Sequence, residues 1–598
     1  MRTSLFALAA LPLVLEAQGP GSRPSADTVS APISSVAYEV TFDKRTGPSG
    51  AFGVRMTFGA DGSGPVILSL PAWTPGAYEI SNFAQKVVGF EASAGGKALG
   101  WDKMDFDTWR IRDASGPVEV RFTYVADSLD NAMSWSQDDF LLFNGTNVFL
   151  YPEGRPLNFA ARVTINTDAD WLVATGMTPA GHNVFTASNY HDLVDMPFFV
   201  GAFDLDSVSV GGKWVRFASY PRGVVGTQAR TTVLSQLSKV VPQEIAVFGE
   251  AQWNTYTVMQ IVDSAFGGAS GLEHQNSHVD ILSPQFVGSD FQPSLYAHEI
   301  FHSWNVKRLR PSEMWPYVYS HAQPTPWLWV SEGITDYYAD LAEARGGVVD
   351  QKGFFKLTAE KINEVNGLVP VALEDASLST WIHPVDGTGY VYYPKGSLAG
   401  FMIDIMIRDA TDNAKSLDTV MRELYTTTYK QGKGFTADDW WNAVSRAANG
   451  QSFADIYAKY IDGREPYPWA ELLPKAGIKP VFEKAPRMGV SSQQSQAGVV
   501  VTATEPGGSA DLAGVKAGDV LLTVGDIPVE DLNFGARFRL RYGNSPEGSP
   551  LPIVVMRGGQ KVTLTGKVMF ANAGMRLEAD PAATAKARRI LAGILSGK

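Results

Sequence analysis

Five consecutive residues near the middle of the chain, His298-Glu299-Ile300-Phe301-His302, constrain its fold more than any other segment. In an α-helix each residue advances by about 100°, so His298 and His302 lie one turn apart on one face, with Glu299 beside them. Burying two imidazoles and a carboxylate together is costly unless they pair or bind a metal ion. The segment therefore predicts a helix with two metal ligands and an adjacent general base, Glu299.

A catalytic zinc ion normally has three protein ligands, whereas a structural one has four. Residues 327–336 offer the missing carboxylate, Glu332, on a second helix-like stretch. Asp336 returns to the same helix face four residues later, where it can accept the free N–H of a zinc-bound imidazole. With the two histidines, Glu332 predicts one catalytic Zn²⁺ per chain. The alternatives to Glu332 are Glu343 and Glu313.

The composition narrows the kind of site and partner. The 598 residues include no cysteine, which excludes disulfides, thiolate ligands, Cys nucleophiles and a lipoprotein anchor. Any metal must therefore sit on histidine and carboxylate. Lys and Arg total 50 against 62 Asp and Glu, a net charge of −12, and no basic block is long enough to neutralise a row of phosphates. Nucleic acid is therefore not an expected partner.

Residues 1–17 have the features of a secretory signal peptide. Arg2 precedes an apolar run from Leu5 to Leu15, and Ala17 lies where a signal peptidase cleaves. The alternative is an uncleaved anchor, but this run is too short to cross about 30 Å of hydrocarbon as a helix. We therefore expect an exported bacterial protein, periplasmic or secreted, with no stable membrane insertion.

The length is about four times that of a typical 150-residue domain, so several folded units are expected. Short β-rich segments separated by Gly, Asp and Asn predict a β-sandwich-like N-terminal domain at 34–210. Helical periods then predict a catalytic domain at 211–472. Pro293 falls in the first turn of its motif helix, which Asp290 or Ser294 can cap. The clearest predicted strands are Val36–Phe42, Val54–Phe58, Val66–Leu70, Val118–Val125 and Ala160–Ile165.

The remaining residues predict a small third domain and a tail. The prolines of residues 472–486 indicate a linker. Short strands and glycine turns predict a folded domain at 486–570. Residues 575–598 contain an Ala-rich helix with basic side chains, which we expect to be solvated and without function. The whole is a multidomain α+β chain.

Several motifs together resemble the glycyl aminopeptidase family, gluzincins that join a β-rich N-terminal domain, a thermolysin-like, mostly α catalytic domain and a C-terminal PDZ domain. The resemblance covers nearly the whole mature chain. The matching segments are Trp73-Thr74-Pro75-Gly76-Ala77-Tyr78, Gly271-Leu272-Glu273-His274, the zinc motif followed by Trp304-Asn305-Val306-Lys307-Arg308, Ser331-Glu332-Gly333 and Tyr392-Tyr393-Pro394-Lys395-Gly396.

The resemblance implies roles for two further segments. In the related alanyl aminopeptidases, the counterpart of Gly271, Leu272 and Glu273 is a substrate-binding edge strand whose Glu binds the free amine of the substrate. Glu273 takes that role by resemblance, while the role of His274, which replaces an Asn, is open. The counterpart of Tyr393 stabilises the oxyanion. Its alternatives in this sequence are Tyr390 and Tyr392.

The segments 505–510 and 513–521 resemble the PDZ core of periplasmic proteases. Such domains capture extended peptides by adding a strand to a sheet edge. The carboxylate-binding loop would lie near residues 487–490. Capture of a peptide or protein ligand and simple packing are equally open for this domain.

These residues predict a zinc aminopeptidase that hydrolyses the first peptide bond of substrates with a free N-terminus. The family resemblance implies a preference for N-terminal Gly or Ala. One alternative is a zinc endopeptidase that ignores Glu273. The other is a PDZ scaffold that binds peptides without turnover, which the presence of Glu299 argues against because decayed enzymes readily lose the base.

Overall fold

The computed structural model describes residues 28–62, 64–531 and 533–598, so the predicted signal peptide lies outside the described residues. The chain forms two compact units. The first comprises the described residues up to 242, with 250–324 and 428–434, and the second comprises 243–249, 325–427 and 435–598. No helix in the described ranges combines the length and apolar character needed to span a bilayer.

The N-terminal part of the first unit is rich in β-strands, as predicted. Along β2 (Ala51–Ala60), buried positions alternate with partly exposed ones, because successive side chains point to opposite faces of a strand. Each of the five predicted strands overlaps an observed one. The other strands are β1 (Ile33–Thr41), β3 (Val66–Ser69), β4 (Val87–Ala94), β5 (Lys97–Ala98), β6 (Trp101–Asp105), β7 (Thr108–Ile111), β8 (Gly116–Val125), β9 (Trp135–Gln137), β10 (Phe140–Asn144), β11 (Tyr151–Pro152), β12 (Ala161–Asn166), β13 (Leu172–Thr175), β14 (Thr178–Gly181), β15 (Val184–Ala187) and β16 (Pro197–Gly201).

These strands form three sheets. The largest has eight strands in the order β14-β15-β12-β1-β2-β8-β4-β5. Two four-stranded sheets have the orders β11-β3-β7-β6 and β13-β16-β10-β9. Two short helices, α1 (Gly145–Val148) and α2 (Tyr190–Val194), lie between strands of this region.

A five-stranded mixed sheet completes the first unit, and its edge positions part of the site. Its strands are β17 (Asp204–Val210), β18 (Lys213–Tyr220), β19 (Thr255–Val262), β20 (Ala269–Glu273) and β21 (Ser277–Leu282), in the order β17-β18-β19-β21-β20. β20 is therefore an edge strand, antiparallel to β21. The helices of this region are α3 (Thr227–Phe248) and α4 (Phe291–Phe301).

Helix α4 carries the zinc motif, and its start differs from the prediction in one respect. Pro293 lies in the first turn as expected. Asp290 precedes the helix, but its side chain makes no capping hydrogen bond, and Ser294 lies inside the helix. The side chain of Gln292 instead reaches back and accepts a hydrogen bond from the backbone N–H of Gly288 at 2.8 Å.

The second unit begins with the predicted helical region. A π-helical segment, Trp329–Ile334, leads directly into α5. The helices are α5 (Thr335–Gly346), α6 (Gln351–Gly367), α7 (Leu373–Ser379), α8 (Pro394–Ala410), α9 (Leu417–Thr427), α10 (Ala437–Ala447), α11 (Ala454–Ile456) and α12 (Trp469–Leu472).

The C-terminal part of the second unit contains the region predicted as a PDZ domain, and it differs from the predictions in two places. The predicted linker is largely a strand, β22 (Ile478–Pro486), which pairs antiparallel with β29 (Phe570–Ala579). Its prolines are compatible with a strand because this sheet has two strands, both edges. The elements between them are β23 (Val490–Ser495), β24 (Gly498–Thr504), α13 (Ser509–Ala513), β25 (Val520–Val524), β26 (Ile527–Pro528), α14 (Phe534–Tyr542), β27 (Pro550–Arg557) and β28 (Gln560–Lys567).

The C-terminal helix α15 (Ala585–Ser596) is not simply solvated, contrary to the expectation from its sequence. Ala587, Ile590, Leu591 and Ile594 are buried along one stripe, at the i, i+3, i+4, i+7 spacing of an amphipathic helix. The helix packs against α5 and against the turn at residues 473–476. It is therefore part of the second unit's core.

Candidate active site

Two imidazole nitrogens converge at the end of α4. The Nε2 atoms of His298 and His302 lie 3.0 Å apart, and the two rings are nearly perpendicular, with centroids 4.6 Å apart. His302 is only 1% exposed. The one-turn spacing predicted from the sequence therefore brings two nitrogen donors to one point.

The backbone after α4 fixes the tautomer of His302. Its Nδ1 lies 2.6 Å from the carbonyl oxygen of Asn305. A carbonyl oxygen can only accept a hydrogen bond, so Nδ1 carries the proton and Nε2 presents a lone pair. This is the state that a metal-ligating histidine needs. Asn305, rather than the predicted Asp336, thus orients His302, and Asp336 stays a prediction for His298.

Glu332 lies on the π-helical segment, a distortion that is frequent at functional sites. Its side chain is buried, with 2% exposure. A β-carbon on the neighbouring Gly333 would lie 2.4 Å from the carbonyl oxygen of Tyr392 and 2.5 Å from the Cα of Gly396. Only glycine permits this approach, which holds Glu332 close to the start of α8.

Among the residues that the structure describes, two groups of side chains have the donor types to hold a metal ion. One is His298, His302 and Glu332, and the other is Glu273, Glu299 and His302. In each group, one ligand atom per residue lies within 4.8 Å of the others. Two neutral nitrogens and one carboxylate form the donor set that suits an open zinc site. The residues present therefore fit a zinc ion in the first group.

The carboxylate of Glu299 lies against the edge strand β20. A β-carbon on Gly271 would fall 2.2 Å from its Oε1, so a side chain there would displace the carboxylate. The backbone carbonyl of Glu299 accepts a hydrogen bond from the hydroxyl of Tyr256 at 3.1 Å. Because side chains alternate along a strand, Leu272 points to the opposite face and is buried, with 3% exposure. The predicted contact of Leu272 with substrate would therefore involve its backbone groups.

Glu273 lies in a buried charge cluster that the sequence analysis did not foresee. The ammonium of Lys307 lies 3.7 Å from Oε1 of Glu273 and donates hydrogen bonds to Asp195 at 2.9 Å and to the carbonyl of Pro75 at 2.8 Å. A β-carbon on Gly76 would lie 2.4 Å from Oε2 of Glu273. The loop of the N-terminal domain and Lys307 therefore confine the Glu273 carboxylate from two sides.

The charges of this cluster are fixed by mutual contact. Burial would raise the pKa of Asp195, but Lys307 and a hydrogen bond with His274 at 3.3 Å outweigh it and lower that pKa to about 2. Burial would lower the pKa of Lys307, but Asp195 and Glu273 outweigh it and raise that pKa. Burial lowers the pKa of His274, which keeps its imidazole neutral at pH 7. His274 therefore serves as a neutral partner of Asp195.

The three tyrosines before α8 have different surroundings. The hydroxyl of Tyr390 donates a hydrogen bond to Glu364 at 2.9 Å, and the hydroxyl of Tyr392 bonds to Thr380 at 3.0 Å. Tyr393 is half-buried and immediately precedes α8. Its role in oxyanion stabilisation stays a prediction from the family resemblance.

Comparison with known sequences and structures gives matches along most of the chain. Among solved structures, an aminopeptidase N family protein from Idiomarina loihiensis is 24% identical, with a TM-score of 0.75 over 94% of this chain and 100% of that chain. An M1 zinc metallopeptidase from Deinococcus radiodurans is 13% identical, with a TM-score of 0.46 over 74% of this chain and 97% of that chain. No curated protein sequence matches.

Three family models match separate parts of the chain. Residues 37–202 match the peptidase M61 N-terminal domain, residues 292–399 match the M61 glycyl aminopeptidase, and residues 486–568 match a PDZ domain. The second match contains the two histidines, Glu332 and Tyr393. The chain thus contains one match to the N-terminal domain and one to the peptidase domain of the M61 glycyl aminopeptidase family, followed by a match to a PDZ domain.

Proposed function

We propose that this protein is a zinc-dependent aminopeptidase that removes the first residue of peptides with a free N-terminus. The observation that carries the proposal is the ligand group of His298, His302 and Glu332, whose donor atoms lie within 4.8 Å of one another, with Glu299 next to the motif histidines. Three protein ligands are typical of a catalytic zinc site, whereas four are typical of a structural one.

The reaction divides among this chain's own side chains. A bound zinc ion would polarise the scissile carbonyl and lower the pKa of a water molecule. Glu299 accepts the proton of the attacking water and then delivers it to the leaving amine. Tyr393 donates a hydrogen bond to the carbonyl oxygen as negative charge develops on it. Each role suits the residue type and its position beside the ligand group or at the start of α8.

Glu273 restricts the enzyme to chain ends in this proposal. Its carboxylate binds the α-ammonium of the substrate and so fixes which peptide bond reaches the site. Support comes from its position on the edge strand next to the proposed base. A carboxylate oxygen of Glu273 lies within 4.8 Å of a carboxylate oxygen of Glu299 and of a ring nitrogen of His302. A substrate amine bound to Glu273 would place the first peptide bond next to Glu299.

The finer specificity rests on the family match. The matching model describes a glycyl aminopeptidase, and we propose a preference for N-terminal Gly or Ala on that ground. We also propose that the protein works after export, in the periplasm or outside the cell, and that its PDZ domain captures peptides or a protein ligand.

The test is metal analysis of the purified protein combined with a substrate panel. Glycine, alanine, leucine and lysine amides should be hydrolysed with stoichiometric zinc bound, and glycine and alanine should give the highest kcat/KM. Short peptides with a free N-terminus and the same peptides with an acetylated N-terminus serve as a matched pair of controls. Cleavage of acetylated and free peptides at internal bonds with equal efficiency would favour the endopeptidase instead. Peptide binding without any turnover would favour the scaffold.

A further inference from the structure

The second unit contains a pocket to which the proposed reaction gives no role. It has a volume of about 190 Å³, and its apolar walls include Leu368, Val371, Leu398, Tyr467 and Trp469. Pockets that hold drug-sized ligands usually measure roughly 300–1,000 Å³. This pocket therefore suits a small molecule with an apolar body.

A buried lysine, Lys395, lines the same pocket. It is only 6% exposed, and its ammonium donates one hydrogen bond, to the carbonyl of Val371 at 2.5 Å. In the described ranges no carboxylate forms an ion pair with it. An ammonium has three N–H donors, and burying its charge without an anion is costly. Burial and the nearby Arg464 lower the pKa of Lys395 to about 8, so the side chain still carries its charge at pH 7.

The other charged groups at the pocket leave the region around Lys395 positive. Arg464 and Glu465 line the pocket but are exposed. Arg464 is paired with Asp375. Asp375 is thus engaged with Arg464, and Glu465 is exposed to solvent, so neither carboxylate forms an ion pair with Lys395. Lys395 is the second residue of α8, where the helix dipole adds positive potential.

We propose that this pocket binds a small carboxylate with an apolar body. The carboxylate pairs with the ammonium of Lys395, and the carbon skeleton lies against Leu398, Tyr467 and Trp469. Charge complementarity selects an anion, and the apolar walls select a hydrophobic one. Two sources share this chemistry: a short fatty acid and the C-terminal end of a peptide with an apolar last residue.

The experiment titrates the full-length protein with octanoate, N-acetylphenylalanine and octan-1-ol, using calorimetry and tryptophan fluorescence. N-acetylphenylalanine has no free amine, so it does not report on the proposed amine site. We expect at least one carboxylate to bind. Lys395→Met should weaken that binding at least tenfold, because a charged hydrogen bond is lost, and leave octan-1-ol binding unchanged. Lys475 is exposed and paired with Asp409, so Lys475→Met is the matched control and should leave the binding of all three compounds unchanged.

Two further variants keep the test decisive if Lys395→Met does not fold. Lys395→Arg keeps the charge and should retain binding. Val365→Trp fills the pocket from α6 while leaving the lysine in place, and it should abolish binding. Preference for octanoate identifies the fatty acid as the source, and preference for N-acetylphenylalanine identifies the peptide end. Failure of both carboxylates to bind at millimolar concentration, or equal binding by wild type and the Met and Trp variants, would overturn the proposal.

Discussion

Gly271 and Glu299 are in such close contact that a β-carbon on Gly271 would lie 2.2 Å from Oε1 of the glutamate. Real β-carbons do not approach an oxygen this closely. The edge strand β20 therefore lies directly against the proposed general base, and the glycine is a steric requirement of the site.

Gly271→Ala should lower kcat by about 100-fold, because the methyl group displaces the carboxylate and a shift of about 1 Å can cost that much. Zinc content should be unchanged, since no ligand is removed. Gly268→Ala is the matched control: a β-carbon there meets nothing within 4 Å, so activity should stay near wild type. Equal activities for the two variants would show that the contact with Glu299 does not matter for turnover.

Glu299→Gln should retain zinc and lose turnover. The amide has nearly the same shape as the carboxylate but cannot accept a proton, and a general base typically contributes about 10²- to 10⁴-fold. The rate of hydrolysis of an amino-acid amide measures turnover, and metal analysis of the same sample measures zinc content. Near-normal turnover with full zinc occupancy would exclude Glu299 as the base.

Glu332→Ala should lose zinc, because it removes one of three proposed ligands. Metal analysis after dialysis against buffer is the measurement. Glu313→Ala, at an exposed position of a short helical turn, serves as the control and should keep its zinc. Full zinc occupancy in Glu332→Ala would contradict the assignment of Glu332 as a ligand. Glu343, which is buried on α5, would then be the next candidate.

Local sequence pattern was sufficient to predict the motif helix and the main strands. The strands show alternating apolar residues, and the two histidines of α4 have helical spacing, so each signal lies within a few residues. The strand β22 was missed because its partner β29 lies about 90 residues later, and its prolines are typical of a linker. Pairing at that distance leaves no local pattern.

The charge cluster around Glu273 could not be predicted for the same reason. Asp195 and Lys307 are 112 positions apart, and only the fold brings them together. The motifs at residues 73–78 and 304–308 did match the family, which marked both segments as notable without indicating their contact. The orientation of His302 by a backbone carbonyl was equally hidden, since any residue at position 305 supplies that atom.

The low pKa of Asp195 predicts a specific loss of stability in acid. Its pKa of about 2 in the folded protein lies below the ordinary 3.8, so its contribution is complete above about pH 4 and is lost as the pH falls towards 2. That shift corresponds to about 2 kcal/mol of unfolding free energy. Asp195→Asn has no carboxyl to titrate at this position. The difference in unfolding free energy between wild type and this variant should therefore shrink by about this amount as the pH falls from 5 to 2. Urea unfolding of both proteins measures the difference, and a constant gap across this range would contradict the assigned pKa.

The last prediction concerns Glu273, on which the distinction between an aminopeptidase and an endopeptidase depends. If its carboxylate binds the substrate's α-ammonium, Glu273→Ala should lower kcat/KM for free peptides by about 10- to 150-fold, the loss expected for one charged hydrogen bond. Lys307 keeps its contacts with Asp195 and the Pro75 carbonyl, so the variant should fold and retain zinc.

N-acetylated peptides supply the control for that variant, because they lack the ammonium. Wild-type protein should barely cleave them, and Glu273→Ala should leave that low rate unchanged. The gap between free and acetylated substrates should therefore narrow. Measuring both substrates with both proteins decides the role of Glu273: an equal fold-loss on free and acetylated peptides would mean that the carboxylate does not bind the amine, and the endopeptidase would then be the better description.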